Sequence, residues 1–207
     1  MTKDSLAGRP VNAQAGAALK TAALRLVRER GYNKISIAAI TKEAGVARQT
    51  LYNRWNTKAD LVLDAVFEET QNYASLPPLD DVRDCRASVE EFLANVFRHL
   101  TVDGDVLRAL IAAAQQDEAF HDTFYAKFVS PREKMLTALL QRAKENGELS
   151  ADRNPELVSG LLHGAFWYRL LNRQPLDAKF ARAITFDVFA HSTAAVSENA
   201  TPNSWTS

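Results

Sequence analysis

The chain has 207 residues, of which 46% are hydrophobic and 24% charged, and its formal net charge is zero; these are ordinary values for a globular protein with a sizeable core. A single cysteine, Cys85, excludes an internal disulfide framework and metal sites built on cysteine. No apolar run approaches the roughly 18 residues that span a bilayer, and the first ten residues lack the apolar core of a secretory signal. We therefore expect a cytoplasmic protein that has no membrane partner.

The charges are unevenly distributed along the chain. Residues 1–60 contain eleven Lys and Arg against four Asp and Glu, whereas residues 61–207 contain fourteen against twenty-one. The first segment therefore carries a balance of +7 and the second a balance of −7. A basic N-terminal unit on an acidic body indicates that the first unit meets an anionic partner. Chance asymmetry is the alternative.

Residues 1–11 are polar and aperiodic and predict a disordered arm. From Val11 to Arg30 apolar residues recur at helical spacing, and Gly31 ends that helix. The next stretch, KISIAAITKEAGVARQTLYNRW, predicts two short helices separated by Gly45, with Ser36 as the N-cap of the first. The second runs from about Ala47 to Tyr52 or Asn53. Asn56 or Thr57 then caps a longer helix, which Leu76-Pro77-Pro78 ends.

The rest of the chain also shows helical spacing and no persistent strand-like alternation. The predicted helices are Val82–Leu100, Val106–Ala114 after a break at Gly104, Glu118–Leu140 with an interruption at Pro131, Glu156–Leu171, and Asp177 to about Val196. Residues 197–207 are polar and predict a disordered tail. The fold class is therefore all-α with about nine helices.

Two short helices joined by a tight glycine turn are the skeleton of a helix-turn-helix. In the second helix Val46 and Leu51 face inward. The polar side chains left outward are Arg48, Gln49, Thr50, Tyr52 and Asn53. Arg and Gln can bond base edges in the major groove, while Thr, Tyr and Lys suit phosphate oxygens. Lys58 adds a cation at the start of the following helix, beside an N-terminus that attracts phosphate. An Ala-rich helical corner without a DNA-binding role is the alternative.

The run AGVARQTLYNRWNTKADLV resembles the sequence pattern of the TetR/AcrR family of transcriptional regulators. The matching positions are Ala44, Gly45, Val46, Thr50, Leu51, Tyr52, Trp55, Lys58 and Leu61. Trp55 stands where the family more often has Phe, and Ala47 stands where Ser often caps the recognition helix. The resemblance is specific over about residues 12–63, and beyond them it rests on length and helical content.

The resemblance implies a three-helix DNA-binding domain at residues 12–57, and a larger helical bundle for ligand sensing and dimerisation at residues 58–196. It implies that Arg48, Gln49 and Asn53 face bases, and that Ser36 anchors the first helix of the motif to the DNA backbone. Thr50, Tyr52 and Lys58 would hold phosphates. The protein is then expected to bind near-palindromic, double-stranded operator DNA as a homodimer, as a repressor.

The second part of the chain is rich in aromatic residues, which suit an apolar ligand pocket inside a helical bundle. We expect a small apolar effector to be bound by Phe92, Phe97, Phe124, Phe128, His163, Phe166 and Trp167. His99 and Arg169 are further candidates for orienting it. The same rings would also serve an ordinary core, which is the alternative.

The last two predicted helices are apolar on two sides, so they must be buried both against their own body and against a partner. The residues expected at a dimer interface are Leu157, Gly160, Leu161, Gly164, Ile184 and Val188. The resemblance implies a four-helix bundle formed by these helices from two chains. A helix central to a monomer is the alternative.

Other classes of function find little support in the sequence. His99, His121 and His163 lack partners at metal-ligand spacing, so neither a metal site nor a cofactor is predicted. No Ser/His/Asp set or phosphate-binding loop has usable spacing, so an all-α enzyme is the weaker hypothesis. A DNA-binding regulator without a ligand is the closer alternative, and a filled core in place of a cavity would distinguish it.

Overall fold

The structure, a computed structural model, describes residues 8–70 and 84–190, with the side chains of residues 8–12 and 70 left out. In those two ranges every regular element is helical and no strand occurs. The predicted all-α fold class is therefore confirmed. The predicted tail at 197–207 and the Leu76-Pro77-Pro78 stop lie outside the described residues.

The N-terminal helices are α1 (Gly8–Arg30), α2 (Ile37–Ala44), α3 (Arg48–Tyr52) and α4 (Lys58–Thr70), with a 3₁₀ turn at Tyr32–Lys34. Helix α1 packs against both α2 and α4, and α3 packs against α1 and α2. A five-residue helix such as α3 is too short to be stable alone, because helix nucleation costs more than so few hydrogen bonds return. Leu51, which is fully buried, holds it in the core.

The C-terminal helices are α5 (Cys85–Ala114), α6 (Glu118–Phe124), α7 (Ser130–Glu145), α8 (Pro155–Leu171) and α9 (Ala178–Phe189). Helix α5 lies centrally, against α6, α7, α8 and α9, and α7 packs on α8. The two halves meet where α1 touches α5 and where α4 touches α5 and α6. A change in the C-terminal helices can therefore reach α1 and α4 directly.

Local capping explains where several helices begin. The Ser36 hydroxyl accepts a hydrogen bond from the Ala39 N–H at 3.2 Å, which confirms it as the N-cap of α2. Helix α4 is capped by Thr57, whose hydroxyl accepts from the Asp60 N–H at 3.1 Å. The Asp60 carboxylate in turn accepts from the Thr57 N–H at 2.9 Å, so the two residues form a reciprocal capping box. Thr57, and not Asn56, therefore marks the start of α4.

The predicted break at Gly104 is wrong, because α5 continues through it from Cys85 to Ala114. Gly104 is buried, and a Cβ there would lie 3.6 Å from Leu170 Cδ1 of α8 and 3.3 Å from Arg108 Nη1. A Cβ at this position would thus make ordinary contact with α8 and would press only on the end of the Arg108 side chain. Packing offsets the roughly 1 kcal/mol that a glycine costs inside a helix.

Two other boundaries differ from the sequence expectations. Helix α1 begins at Gly8, so residues 8–11 of the predicted arm are helical; proline is tolerated in the first turn, because its missing N–H would have no partner there. The interruption at Pro131 takes the form of a π-helical turn, Tyr125–Val129, directly before α7. Helix α9 ends at Phe189, and residues 191–196 lie outside the described part.

Candidate DNA-binding interface and ligand cavity

The turn between α2 and α3 is made by Gly45, which has a φ of +64° in the left-handed region. Its N–H donates to the Lys42 carbonyl at 3.3 Å, and the Val46 N–H donates to the Thr41 carbonyl at 3.0 Å. These bonds satisfy the last carbonyls of α2, as glycine C-caps commonly do. The glycine turn expected from the sequence is therefore present, and it sets α3 across α2.

The outward face of α3 holds four of the side chains predicted to meet DNA. Arg48, Gln49, Tyr52 and Asn53 are exposed, whereas Thr50 is half-buried. The Gln49 side-chain amide donates to the Asn53 side-chain carbonyl at 2.9 Å. This bond aligns two amide groups one helical turn apart on the solvent face. Amides so placed can donate to and accept from base edges in a major groove.

The start of α3 has no side-chain cap, as the Ala47 at its N-cap position predicts. Trp55, the larger substitute for a phenylalanine, is buried with 7% of its surface exposed. Its indole N–H donates to the Asp64 carboxylate at 3.2 Å, so the extra ring is accommodated with its polar group satisfied.

Lys58 and Ser36 both contact their own chain. The Lys58 ammonium donates to the carbonyls of Tyr32 at 2.8 Å and Ile35 at 3.1 Å, and lies 4.0 Å from the centre of the Tyr32 ring. Burial lowers the pKa of Lys58, because the charged form is partly desolvated. Lys58, which the resemblance assigns to a phosphate, is thus engaged by its own chain, and a phosphate would have to share it. Ser36 is exposed beside this turn, with its hydroxyl engaged in the α2 cap.

A cavity lies between α4, α5, the π-helical turn, α7 and α8, and we call it the α5–α8 cavity. Its described lining is Val66, Phe92, Leu93, Val96, His99, Leu100, Asp103, Leu107, Phe128, Val129, Arg132, Leu136, Leu162, His163, Phe166 and Trp167. The cavity has a volume of about 60 Å³. The C-terminal helices thus contain a largely apolar cavity in the region where the sequence predicted a pocket.

Five of the seven residues predicted to bind a ligand line this cavity: Phe92, Phe128, His163, Phe166 and Trp167. Phe97 and Phe124 do not. Phe97 is fully buried, with its ring centre 5.7 Å from that of Phe180 and 6.0 Å from that of Phe166. Phe124 stacks on Phe128 at 5.3 Å and meets Trp167 edge-on at 6.5 Å. Both rings therefore form a second layer that supports the lining.

Sequence reasoning missed two charged residues of the lining, Asp103 and Arg132. Asp103, with 7% of its surface exposed, accepts two hydrogen bonds of 2.7 Å from Arg28 of α1. Arg28 also pairs with Glu69 of α4 at 2.5 Å, and its pKa is raised, chiefly by the hydrogen bond to Asp103. No sequence signal could have joined Arg28 to Asp103, because the two lie 75 positions apart.

The polar side of the cavity also includes His163. Its Nδ1 lies 2.8 Å from the Ser159 carbonyl, which can only accept, so that nitrogen carries a proton. In the neutral ring Nε2 is then left as a hydrogen-bond acceptor.

The outer face of α8 is apolar and exposed. Leu157 is 63% exposed, and Leu161, Tyr168 and Leu171, which follow at helical spacing, are each more than half exposed. A Cβ added at Gly160 or Gly164 would meet nothing within 4 Å. On α9, Phe186 is 54% exposed, with Ala183 and Ala190 also exposed.

Two residues of the predicted dimer interface lie elsewhere on α9. Val188 is buried with 8% of its surface exposed, and Ile184 is half-buried against the core of its own chain. Both face inward, because α9 packs this side on α5. The exposed side of α9 instead presents Ala183, Phe186 and Ala190.

Two further features bear on the class of site. Within residues 8–70 and 84–190, no three His, Cys, Asp or Glu side chains are grouped so that they could hold a metal ion. No helix of that part of the chain has the length and apolar character needed to cross a membrane.

Curated relatives match most of the chain. It is 29% identical over 187 residues to the uncharacterized HTH-type transcriptional regulator YdeS of Bacillus subtilis (strain 168), covering 88% of this chain and 91% of that protein. It is 25% identical over 176 residues to the DNA-binding transcriptional repressor TetR of Mycobacteroides abscessus, covering 83% and 90%.

Solved structures share the fold. The TetR family transcription regulator SCO0332 superposes with a TM-score of 0.70 at 26% identity, over 86% of this chain and 97% of that one. Thermus thermophilus FadR, a TetR family transcriptional repressor solved in complex with lauroyl-CoA, has a TM-score of 0.69 at 17% identity, over 91% and 100%.

Two family descriptions match separate parts of the chain and together most of its length. Residues 19–65 match the family described as bacterial regulatory proteins, tetR family, and residues 79–188 match the tetracyclin repressor-like C-terminal domain. The first match contains α2, α3 and the glycine turn, and the second contains most of the α5–α8 cavity and the exposed face of α8. The chain therefore belongs to the TetR family and is a DNA-binding transcriptional regulator.

Proposed function

We propose that this regulator is a homodimeric repressor that binds a near-palindromic operator and releases it when a small apolar effector enters the α5–α8 cavity. One observation supports this most: a single chain joins an exposed polar face on α3 to a partly enclosed, largely apolar cavity, with α4 running from one to the other. Val66 of α4 lines the cavity, and Lys58 at the start of the same helix contacts the turn before α2.

The dimer is supported by the outer face of α8. Apolar residues such as Leu157, Leu161 and Leu171 are each more than half exposed there, and contiguous apolar surface of this kind marks an interaction site. The open space over Gly160 and Gly164 allows a second helix to approach closely. A two-fold dimer would place its two α3 helices in successive major grooves, about 34 Å apart.

The effector is supported by the cavity and by one similar protein. Thermus thermophilus FadR, which shares the fold, was solved with lauroyl-CoA bound. The α5–α8 cavity of this chain is lined mainly by apolar and aromatic side chains, the composition of ligand pockets in general. An effector acts here only through a higher affinity for the dimer that does not fit the operator.

The test is release of operator DNA. The full-length chain is first used to select a duplex from random sequence, and a panel of small hydrophobic compounds is then screened for release of that duplex. Leu100→Phe, which fills part of the cavity, should keep operator binding and lose the response. Val102→Phe is the matched control, because Val102 lies on the same helix but is 66% exposed. A response that survives Leu100→Phe would place the effector elsewhere, and selection of no duplex would contradict operator binding.

A further inference from the structure

Asp103 is part of the cavity wall and also part of an ion pair with Arg28. Its side chain lines the α5–α8 cavity, and both of its carboxylate oxygens accept hydrogen bonds from Arg28 of α1. Nε of Arg28 donates to Oδ1 at 2.7 Å and Nη2 donates to Oδ2 at 2.7 Å, the two-point geometry of strong arginine–carboxylate pairs. The pair therefore connects the wall of the cavity to the long helix that supports the helix-turn-helix.

The cavity presents Asp103, and not Arg28, to a ligand. Asp103 is the single acidic side chain among the described lining residues. A carboxylate has about four acceptor positions, and Arg28 uses two of those on Asp103. In its neutral form His163 adds a second acceptor, Nε2, because its Nδ1 proton is directed at the Ser159 carbonyl.

The cation in the lining, Arg132, is already engaged. Its guanidinium donates to the Phe128 carbonyl at 2.7 Å and lies 3.9 Å from the centre of the Phe128 ring. The polar side chains of the described lining are thus one carboxylate, the imidazoles of His99 and His163, and this engaged guanidinium, and the carboxylate matches a ligand that donates.

We propose that the effector is an apolar molecule ending in a positively charged or other hydrogen-bond-donating group, and that this group competes with Arg28 for Asp103. This inference rests on the proposed function. A cation beside Asp103 weakens the pair both by taking acceptor positions and by repelling the guanidinium. Arg28 keeps Glu69 of α4 as a partner, so α1 loses its ion pair with α5 while it keeps its ion pair with α4. Relative movement of α1 and α5 then alters the position of α3.

The first experiment compares three probes that share one chain and differ in their end group: octylamine, 1-octanol and octanoate. Binding to the full-length protein is followed by the fluorescence of Trp167, which lines the cavity, after Trp55→Phe and Trp205→Phe isolate its signal. Because a charge-assisted hydrogen bond is roughly twice as strong as a neutral one, octylamine should bind about tenfold more tightly than octanol. Octanoate should bind more weakly than octanol, because its carboxylate is repelled by Asp103.

Substitutions of Asp103 and of Arg28 should change the binding of octylamine in opposite directions. Asp103→Asn should reduce the octylamine preference to within about threefold, since it removes the negative acceptor. Arg28→Met removes the competitor, so octylamine should bind more tightly than to the parent chain, and yet its binding should no longer release operator DNA. Asp105→Asn is the matched control: Asp105 lies two residues further along α5, and its exposed carboxylate pairs with Arg108 and Arg173.

Equal or tighter binding of octanoate, an amine preference that survives Asp103→Asn, or weaker octylamine binding by Arg28→Met would each overturn this inference. None of those results would affect the proposed ligand-responsive repressor. Failure of all three probes to bind, with operator binding intact, would contradict the cavity's role as an effector site, and this inference with it. Arg28→Met keeps the test decisive if Asp103→Asn does not fold.

Discussion

Lys58 and Tyr32 are joined twice: the Lys58 ammonium lies 4.0 Å from the centre of the Tyr32 ring and donates to the Tyr32 carbonyl at 2.8 Å. A third contact runs from the same ammonium to the Ile35 carbonyl at 3.1 Å. The first residue of α4 is thereby fixed to the turn between α1 and α2. Any displacement of α4 is transmitted to the helix-turn-helix at this point.

Replacing Lys58 by methionine should therefore destabilise the N-terminal helices as well as weaken DNA binding. Loss of one cation–π contact and two charged hydrogen bonds should lower the free energy of unfolding by about 1–3 kcal/mol. Thermal unfolding of the variant measures this, with Lys42→Met, at an exposed position of α2, as the control. An unchanged melting temperature, with DNA binding weakened equally for all sequences, would instead assign Lys58 to phosphate alone.

The Gln49–Asn53 pair on α3 should determine base preference. Changing Gln49 to alanine removes an amide that can bond a base edge and frees its partner Asn53, so discrimination should fall by about 1–3 kcal/mol at one position of the operator. Tyr52→Phe, which loses one exposed hydroxyl, should weaken binding to all sequences alike. Competition between the selected duplex and its single-base variants measures both effects. Equal loss on every duplex for Gln49→Ala would argue against base contact.

Substitution of Gly164 by leucine should weaken the dimer without destabilising the fold of the single chain. Nothing within 4 Å obstructs a side chain at this position within one chain, and leucine favours a helix over glycine by about 0.5–1 kcal/mol. The helix should thus be as stable as before or more so, while a partner helix is held further away. Sedimentation should show a weaker dimer, and operator affinity should fall with it.

Ala151→Leu, in the exposed turn before α8, is the control for added apolar surface away from the proposed interface. A Gly164→Leu protein that dimerises as tightly as the parent would exclude this face of α8 from the dimer.

Cys85 should be chemically inert in the folded protein. Burial, together with a hydrogen bond to Glu148, raises the pKa of its thiol to about 11, and its side chain is fully buried. The thiolate, which is the reactive form, is then present at about one part in a thousand at pH 8. A disulfide reagent should fail to modify the native chain and should react at once after unfolding in urea. Rapid reaction of the native protein would show that the N-terminus of α5 opens readily.

Features set by neighbouring residues could be predicted from the sequence. The Ser36 cap, the left-handed Gly45 and the missing cap at Ala47 each depend on a few adjacent positions, and each was found where the sequence placed it. The exposed face of α3 followed from the inward positions of Val46 and Leu51, which are half-buried and buried in the structure.

Features set by distant contacts could not be predicted. Gly104 is expected to break the helix on local propensity alone, whereas in the fold it is buried beside Arg108 and Leu170 and the helix continues through it. The sequence could not show that Lys58 binds carbonyls of its own chain, because those partners lie more than twenty positions away. The sequence could not show that Phe92 lines the cavity while Phe97 lies behind the lining. The spacing of aromatic residues indicates which side of a helix they occupy, and not how deep in the core they lie.

Binding of the operator by a dimer is tested most directly by the symmetry of the operator and the number of chains that bind it. Full-length protein selects duplexes from random sequence, and sedimentation of the best duplex with increasing protein gives the stoichiometry. We expect a near-palindrome with half-sites about one helical turn apart, occupied by pairs of chains. An asymmetric site bound by a single chain, or no enriched sequence from a folded protein, would contradict it.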